Sequence, residues 1–251
     1  MNNLQLEKIL NQKLNSQAIS DYAPNGLQIE GKAEIKKIIT GVTASQALID
    51  YAASQQADAI LVHHGYFWKN ESPCLRGMKG KRIKTLLTND INLYAYHLPL
   101  DVHPELGNNA QLAQRLGAQD LQPLENNAFS IPVSATFDPP ITAEQLRIKI
   151  EQSLKRPPLM CSENAPHLIR TIGICTGGGQ GYIDLAAAKG LDAFITGEVS
   201  EQTIHSAREQ SIHFFAAGHH ATERYGVQAL GEWLAQTYKL EVEFKDIDNP
   251  V

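Results

Sequence analysis

Cysteine is scarce in this chain: Cys74, Cys161 and Cys175 are the only three in 251 residues. Their odd number, wide separation and lack of a Cys-x-x-Cys pair argue against a disulfide framework and against a thiolate zinc finger. No apolar run approaches the roughly 18 residues of a membrane span. Glu7 and Lys8 interrupt the leucines of the first ten residues, so no signal-peptide core is expected there. Cations are not in excess either. Lys and Arg number 22 against 27 Asp and Glu, a net charge of −5, which gives no global pull toward nucleic acid. With 43% hydrophobic and 20% charged residues, the composition is that of a folded globular chain. The length suits one large α/β domain or two ordinary ones. A soluble, cytoplasmic α/β protein is expected.

Stretches rich in Ile, Val, Phe and Ala alternate with helix-like stretches, as in βα units around largely parallel sheets. The pattern predicts strands over 37–42, 57–63, 92–97, 171–176, 193–197, 213–218 and 242–247. Helices are predicted over 4–14, 45–54, 81–88, 109–116, 143–154, 182–189, 202–210 and 222–238. Residues 119–140, with four prolines and little periodicity, read as a linker or an irregular strand. The halves also resemble each other. Shifted by 134 positions, Val42–His64 lies on Thr176–Glu198 without a gap and with seven identities in 23 residues. These include Gln46 with Gln180, Asp50 with Asp184, and Asp58-Ala59 with Asp192-Ala193. The expected fold is two similar α/β halves, residues 1–125 and 126–251, with mostly parallel sheets packed by helices and a ligand cleft between them. Ligands of open parallel sheets bind at the carboxyl ends of strands.

Unusual residues gather at those ends. One strand finishes in His63-His64, another in His97 with Asp101 four residues on, and a third runs into His219-His220 with Glu223 beyond. Imidazole with carboxylate suits divalent zinc, manganese, iron, cobalt or nickel and does not distinguish among them. His219 and Glu223 are spaced for one side of a helical turn, and Pro99 stiffens the turn that carries Asp101. Five ligands, His63, His64, Asp101, His219 and Glu223, are too many for one tetrahedral zinc. They suit two ions sharing a bridging carboxylate and a bridging water. Taken singly, each histidine has a plainer reading as a hydrogen-bonded core or surface residue. Adjacent strand residues also face opposite ways, so His63 and His64 can share a site only if the strand ends or bends, which Gly65 permits. It is their joint occurrence at matching strand ends that favours metal.

Four ordered motifs spread from residue 21 to residue 223: Asp21-Tyr22-Ala23-Pro24-Asn25-Gly26-Leu27-Gln28, Val62-His63-His64-Gly65, His97-x-x-x-Asp101 and Ala217-Gly218-His219-His220-x-x-Glu223. Together they resemble the Nif-type GTP cyclohydrolase 1 type 2 homologue family, in its short YbgI-like branch. The resemblance implies a dinuclear metal site on the same five residues and a toroidal homohexamer with metal sites facing the ring interior. It also implies the compact form, without the domain some members insert between the halves.

Other features have two readings each. Gly177-Gly178-Gly179 follows a strand and precedes a helix, which suits a tight βα turn, with anion binding as the alternative. Glu198 occupies the repeat position of His64. It is either a carboxylate that orients a ligand, with His205 as its possible companion, or a charge favoured by a helix N-terminus. Arg76, Lys79, Lys81, Arg82 and Lys84 form a basic run, either a solvated helix face or a patch for a phosphorylated substrate. Tyr66, Phe67 and Trp68 read as core or an oligomer contact, with a stacking wall for a base as the alternative.

The function expected from these residues is a metal-dependent hydrolase in which His97, not needed as a ligand, shuttles the proton. The family resemblance suggests a GTP-like or other small phosphorylated substrate. The alternative is a metal-binding ring that serves as a scaffold for DNA or protein partners with little turnover.

Overall fold

The computed structural model describes all of residues 1–251 and divides into two compact units. The first comprises Met1–Leu106 with Gly226–Asp248, the second Gly107–Tyr225 with Asn249–Val251. This division differs from a single cut after residue 125, because the chain returns to the first unit near its end.

The first unit opens with α1 (Asn3–Leu14) and β1 (Gly26–Ile29). A β-α-β-α-β run follows: β2 (Lys37–Thr43), α2 (Gln46–Ser54), β3 (Ala59–His64), α3 (Gly77–Thr88) and β4 (Asn92–Ala95). The single-turn helix α4 (Leu98–Asp101) comes next. In the second unit the order is α5 (Asn108–Leu116), β5 (Gln119–Pro123), β6 (Val133–Ile141), α6 (Ala143–Leu154) and β7 (Leu159–Cys161). A second β-α-β-α-β run then appears: β8 (Ile169–Cys175), α7 (Ile183–Ala188), β9 (Ala193–Thr196), α8 (Glu201–Glu209) and β10 (His213–Ala216). The short α9 (His219–Thr222) leads into α10 (Arg224–Tyr238), and β11 (Glu241–Phe244) closes the first unit's sheet.

That first sheet has the order β1-β4-β3-β2-β11, parallel except at β1. Helices cover both faces, so its strands are apolar on both sides. Along β3, Ile60 and Val62 pack with Leu48, Ile49, Ile83 and Leu86 of α2 and α3. The alternate residues Ala59 and Leu61 pack with Leu6, Leu10, Val227 and Leu230 of α1 and α10. Gly231 brings α10 close to β2, since a Cβ there would lie 2.9 Å from the Thr40 methyl and 3.0 Å from Val242. This contact explains why α10 and β11 belong with the N-terminal residues.

The second sheet has the order β5-β6-β8-β9-β10-β7, with a parallel centre, β8-β9-β10, flanked by antiparallel strands. Residues 119–140 form the pair β5 and β6, where Val133, Ala135 and Phe137 alternate inward. Pro123 lies at the end of the edge strand β5, where its missing N–H breaks no interior ladder. Pro139 and Pro140 fall where β6 loses register with β8, between Thr136 and Ile141.

The two β-α-β-α-β runs give matching strand orders, β4-β3-β2 and β10-β9-β8, each with an antiparallel neighbour beside its third strand. The paired aspartates have the same task. Asp58 Oδ2 accepts the backbone N–H groups of Lys36 and Lys37 at 2.9 and 3.0 Å. Asp192 Oδ2 accepts those of Arg170 and Thr171 at 2.9 and 2.8 Å. Each carboxylate satisfies donors at the start of the neighbouring strand.

Candidate metal centre

In the first unit the strand ends bring three histidines together. His63, His64 and His97 each offer a ring nitrogen, and these nitrogens lie within 4.8 Å of one another. β3 ends at His64, so the alternation that would separate neighbouring side chains lapses there, and the rings of His63 and His64 are 4.5 Å apart. Gly65 then makes room. A Cβ at this position would stand 2.2 Å from Gln28 Oε1 and 2.6 Å from the Ala95 Cβ. Asp101, at the end of α4, places Oδ1 3.6 Å from His63 Nε2.

Hydrogen bonds fix the imidazoles. His63 Nδ1 faces the Tyr96 carbonyl at 3.0 Å, and a carbonyl only accepts, so Nδ1 carries the proton and Nε2 the lone pair. His64 Nδ1 meets Thr43 Oγ1 at 3.1 Å. His97 Nδ1 is 2.9 Å from Asp21 Oδ1, while its backbone N–H donates to Asn25 Oδ1 at 2.8 Å. Burial alone would raise the Asp21 carboxyl. The hydrogen bond and charge of His97, with the Asn25 amide and the Leu98 N–H, outweigh it and hold that carboxyl at about 2. Asp21 is therefore an acceptor, and the His97 proton is on Nδ1.

In the second unit His219 and Glu223 stand one helical turn apart at the α9–α10 junction, with Nε2 and Oε2 separated by 3.2 Å. Glu198 Oε1 lies 2.7 Å from His219 Nδ1. Burial lowers the His219 pKa, but hydrogen bonds and charge from Glu223 and Glu198 raise it to about 9. Two carboxylates thus favour a cation at this position, and a divalent ion held by His219 Nε2 would take the place of the proton there. Glu223 is 3% exposed, and a buried carboxylate requires such a counter-charge.

The glycine loop fits around this pair. A Cβ on Gly177 would come within 2.1 Å of Glu223 Oε1 and 3.1 Å of His219 Nε2. The amides of Gly177 and Gly179 donate to Thr222 Oγ1 and Thr196 Oγ1, both at 3.0 Å. The loop is a tight turn that admits a carboxylate, with two of its N–H groups engaged by hydroxyls. His205 lies elsewhere: its Nε2 is 3.0 Å from Glu201 Oε1 on an exposed helix face, and it is not the companion of Glu198.

These donor sets suit a divalent cation. Nδ1 of His63 and of His219 rests on a carbonyl or carboxylate oxygen, the arrangement that orients a ligating imidazole and raises its basicity. Sequence reasoning passed over Asp21, Asn25, Gln28 and Thr43 as functional residues. The signal for the first three was their motif, and its side chains reach across the fold to His97 and to Tyr66. Tyr66 itself is core, with its hydroxyl donating to the Ala44 carbonyl. In the basic run, Lys79 is paired with Glu71 at 3.2 Å, while Arg76, Lys81 and Lys84 are exposed.

No helix is long and apolar enough to cross a membrane. A sequence model of the family described as Duf34/NIF3 (NGG1p interacting factor 3) matches residues 1–250. A Pasteurella multocida (strain Pm70) relative named GTP cyclohydrolase 1 type 2 homolog is 78% identical over 250 residues, covering 100% of both chains. The solved structure of protein ybgI is similar over 100% of both chains, with 59% identity and a TM-score of 0.96. TTHA1606 from Thermus thermophilus is also similar over 100% of both chains, with 31% identity and a TM-score of 0.88.

Proposed function

This chain belongs to the Duf34/NIF3 family, and from that premise we propose that it is a dinuclear metal-dependent hydrolase acting on a nucleotide or another small phosphorylated substrate. His63, His64, Asp101, His219 and Glu223 would hold two divalent ions, and Glu223 would be the carboxylate shared between them. A carboxylate offers two oxygens where an imidazole offers one lone pair, and Glu223 has a longer stem than Asp101. The observation that carries the reading is the set of hydrogen bonds that commit Nδ1 of His63, His97 and His219 to oxygen partners. Ions bound by such ligands supply Lewis acidity that lowers the pKa of water and polarises a scissile group. The chain's own residues do the rest. Tyr96 O and Glu198 orient His63 and His219, and Asp21 holds His97 with its Nε2 lone pair ready to take a proton and return it to the leaving group. The relatives' name points to GTP as the first substrate to try.

We extend the proposal to a cytoplasmic homohexameric ring. Exposed Leu159 and Met160 on the edge strand β7 suit a subunit contact, and light scattering measures the assembly.

Elemental analysis tests the metal set. Wild type should carry about two ions per chain, and Glu223→Ala one or none. His63→Ala should affect mainly one ion, and His205→Ala neither. A single ion in wild type removes the dinuclear reading. Retention of both by Glu223→Ala removes the bridge. A metal-loaded protein that turns over neither GTP nor simpler phosphoesters is not a hydrolase of this class.

A further inference from the structure

The motif Asp21–Gln28 has a structural task for most of its polar side chains. Asp21 and Asn25 bind His97, and the Gln28 amide bonds both the N–H and the carbonyl of Tyr66. Tyr22 is different. Its backbone is clamped, with its N–H donating to Asp21 and its carbonyl accepting from Lys69 at 2.7 Å. The residue nevertheless remains 54% exposed. Exposed apolar surface becomes informative when it forms a patch beside polar functional groups.

The neighbouring loop supplies a second ring. Trp68 lies 5.7 Å from Tyr22, and both stand edge-on to His97 at 5.0 and 4.9 Å. Trp68 is also 5.9 Å from His64 and donates its indole N–H to the Gly65 carbonyl at 3.2 Å. The residue before it, Phe67, is held at φ +65°, a left-handed conformation that is strained for a bulky side chain. Strain of this kind persists where surrounding bonds over-determine it, and it clusters at ligand clamps. Here the Gln28 amide on one side and the Tyr22–Lys69 bond on the other hold it.

We propose that Tyr22 and Trp68 form a stacking wall for a planar heterocyclic ring of the substrate, placing that ring beside His97. This rests on the nucleotide-hydrolase reading and specifies its substrate class as one with an aromatic base, not a bare phosphoester. The 4.9 Å separation of the Tyr22 and His97 rings keeps a base held on this wall in the neighbourhood of the imidazole. Stacking tolerates any base, so the wall supplies affinity and leaves base identity to other contacts.

The chain has two tryptophans, so Trp233→Phe leaves Trp68 as the only indole reporter. In this background, metal-loaded, GTP should quench Trp68 emission saturably and bind more tightly than inorganic tripolyphosphate, which has no ring. Tyr22→Ala should weaken GTP about tenfold and leave tripolyphosphate affinity, metal content and assembly mass unchanged. Tyr22→Phe, which keeps the ring, should bind GTP as the parent does. Absence of saturable quenching, equal affinity for the two probes, or an unchanged GTP affinity in Tyr22→Ala overturns the wall. So does a Tyr22→Ala protein that loses both probes alike or changes its assembly mass, which would make Tyr22 a structural or subunit contact. GTP bound on the wall but never turned over refutes the hydrolase reading alone. Turnover that ignores Tyr22→Ala refutes the wall alone.

Discussion

Gly177→Ala separates backbone strain from damage to the candidate metal centre. Gly177 sits at φ +68°, where alanine pays about 1–2 kcal/mol. Its new Cβ would stand 2.1 Å from Glu223 Oε1 and 3.0 Å from Glu223 Cδ. That carboxylate is buried and cannot swing into water, so relieving the overlap costs about a further 1–3 kcal/mol. Together these give roughly 2–5 kcal/mol, a fall in melting temperature of about 5–15 °C for a chain of this size. Two other glycines calibrate the result. Gly190 has φ +71° with nothing within 4 Å of a built Cβ, so Gly190→Ala should show the strain alone. Gly181 has open space and no positive φ, so Gly181→Ala should be near neutral. Thermal melts and elemental analysis of the three variants form the assay. Gly177→Ala should fall furthest and should also lose metal, because Glu223 is displaced. If Gly177→Ala melts with Gly190→Ala and keeps its metal, the loop is an ordinary turn and the cradle argument fails.

Asp58→Asn should destabilise the protein by about 1–2 kcal/mol at neutral pH. In the fold, burial raises the Asp58 carboxyl, but the N–H groups of Lys36 and Lys37 and the Lys32 ammonium outweigh it and hold it below 3.8. A depressed carboxyl stabilises fully above its unfolded value and loses that contribution as pH falls through the folded one. The gap between wild type and Asp58→Asn in urea melts should therefore close below about pH 4, and a gap that is constant with pH refutes the assignment. Asp21→Ala should leave metal content unchanged and lower kcat about 10–100-fold with little change in KM. A loss of metal, or an effect on KM alone, would show that Asp21 does not act through His97.

Much of this was legible because strands have a period and an end. The apolar runs of β3 and β4 lead into His63-His64 and His97, so the histidine cluster of the first unit could be read from order alone. The outer strands were harder. Val133, Ala135 and Phe137 alternate as a half-buried strand should, but the prolines around them resemble a linker, and only edge pairing and lost register accommodate them. The His97–Asp21 bond spans 76 residues, and no local pattern announces a loop that folds back onto a strand end. His205 misled for the opposite reason. Its helical spacing to Glu201 explains it entirely, and Glu198 finds its partner in His219 through tertiary structure.

The two β-α-β-α-β runs also separate residues that build the fold from residues that carry chemistry. Asp58 and Asp192 are identical because each must accept two N–H groups at the start of a parallel strand. Ala52 and Ala186 are identical and wholly buried under their sheets. The same 134-residue shift pairs Thr43 with Gly177 and His64 with Glu198, and there the identity stops. In the first unit Thr43 bonds the His64 imidazole. In the second, Glu198 bonds His219, and glycine replaces threonine because Glu223 needs the space. The matching positions therefore differ where one unit offers an imidazole and the other offers a carboxylate to orient one. A Gly177→Thr exchange would place a branched side chain against Glu223, and a Thr43→Gly exchange would remove the hydroxyl beside His64. The strand ends are not interchangeable, although the sheets beneath them follow one plan.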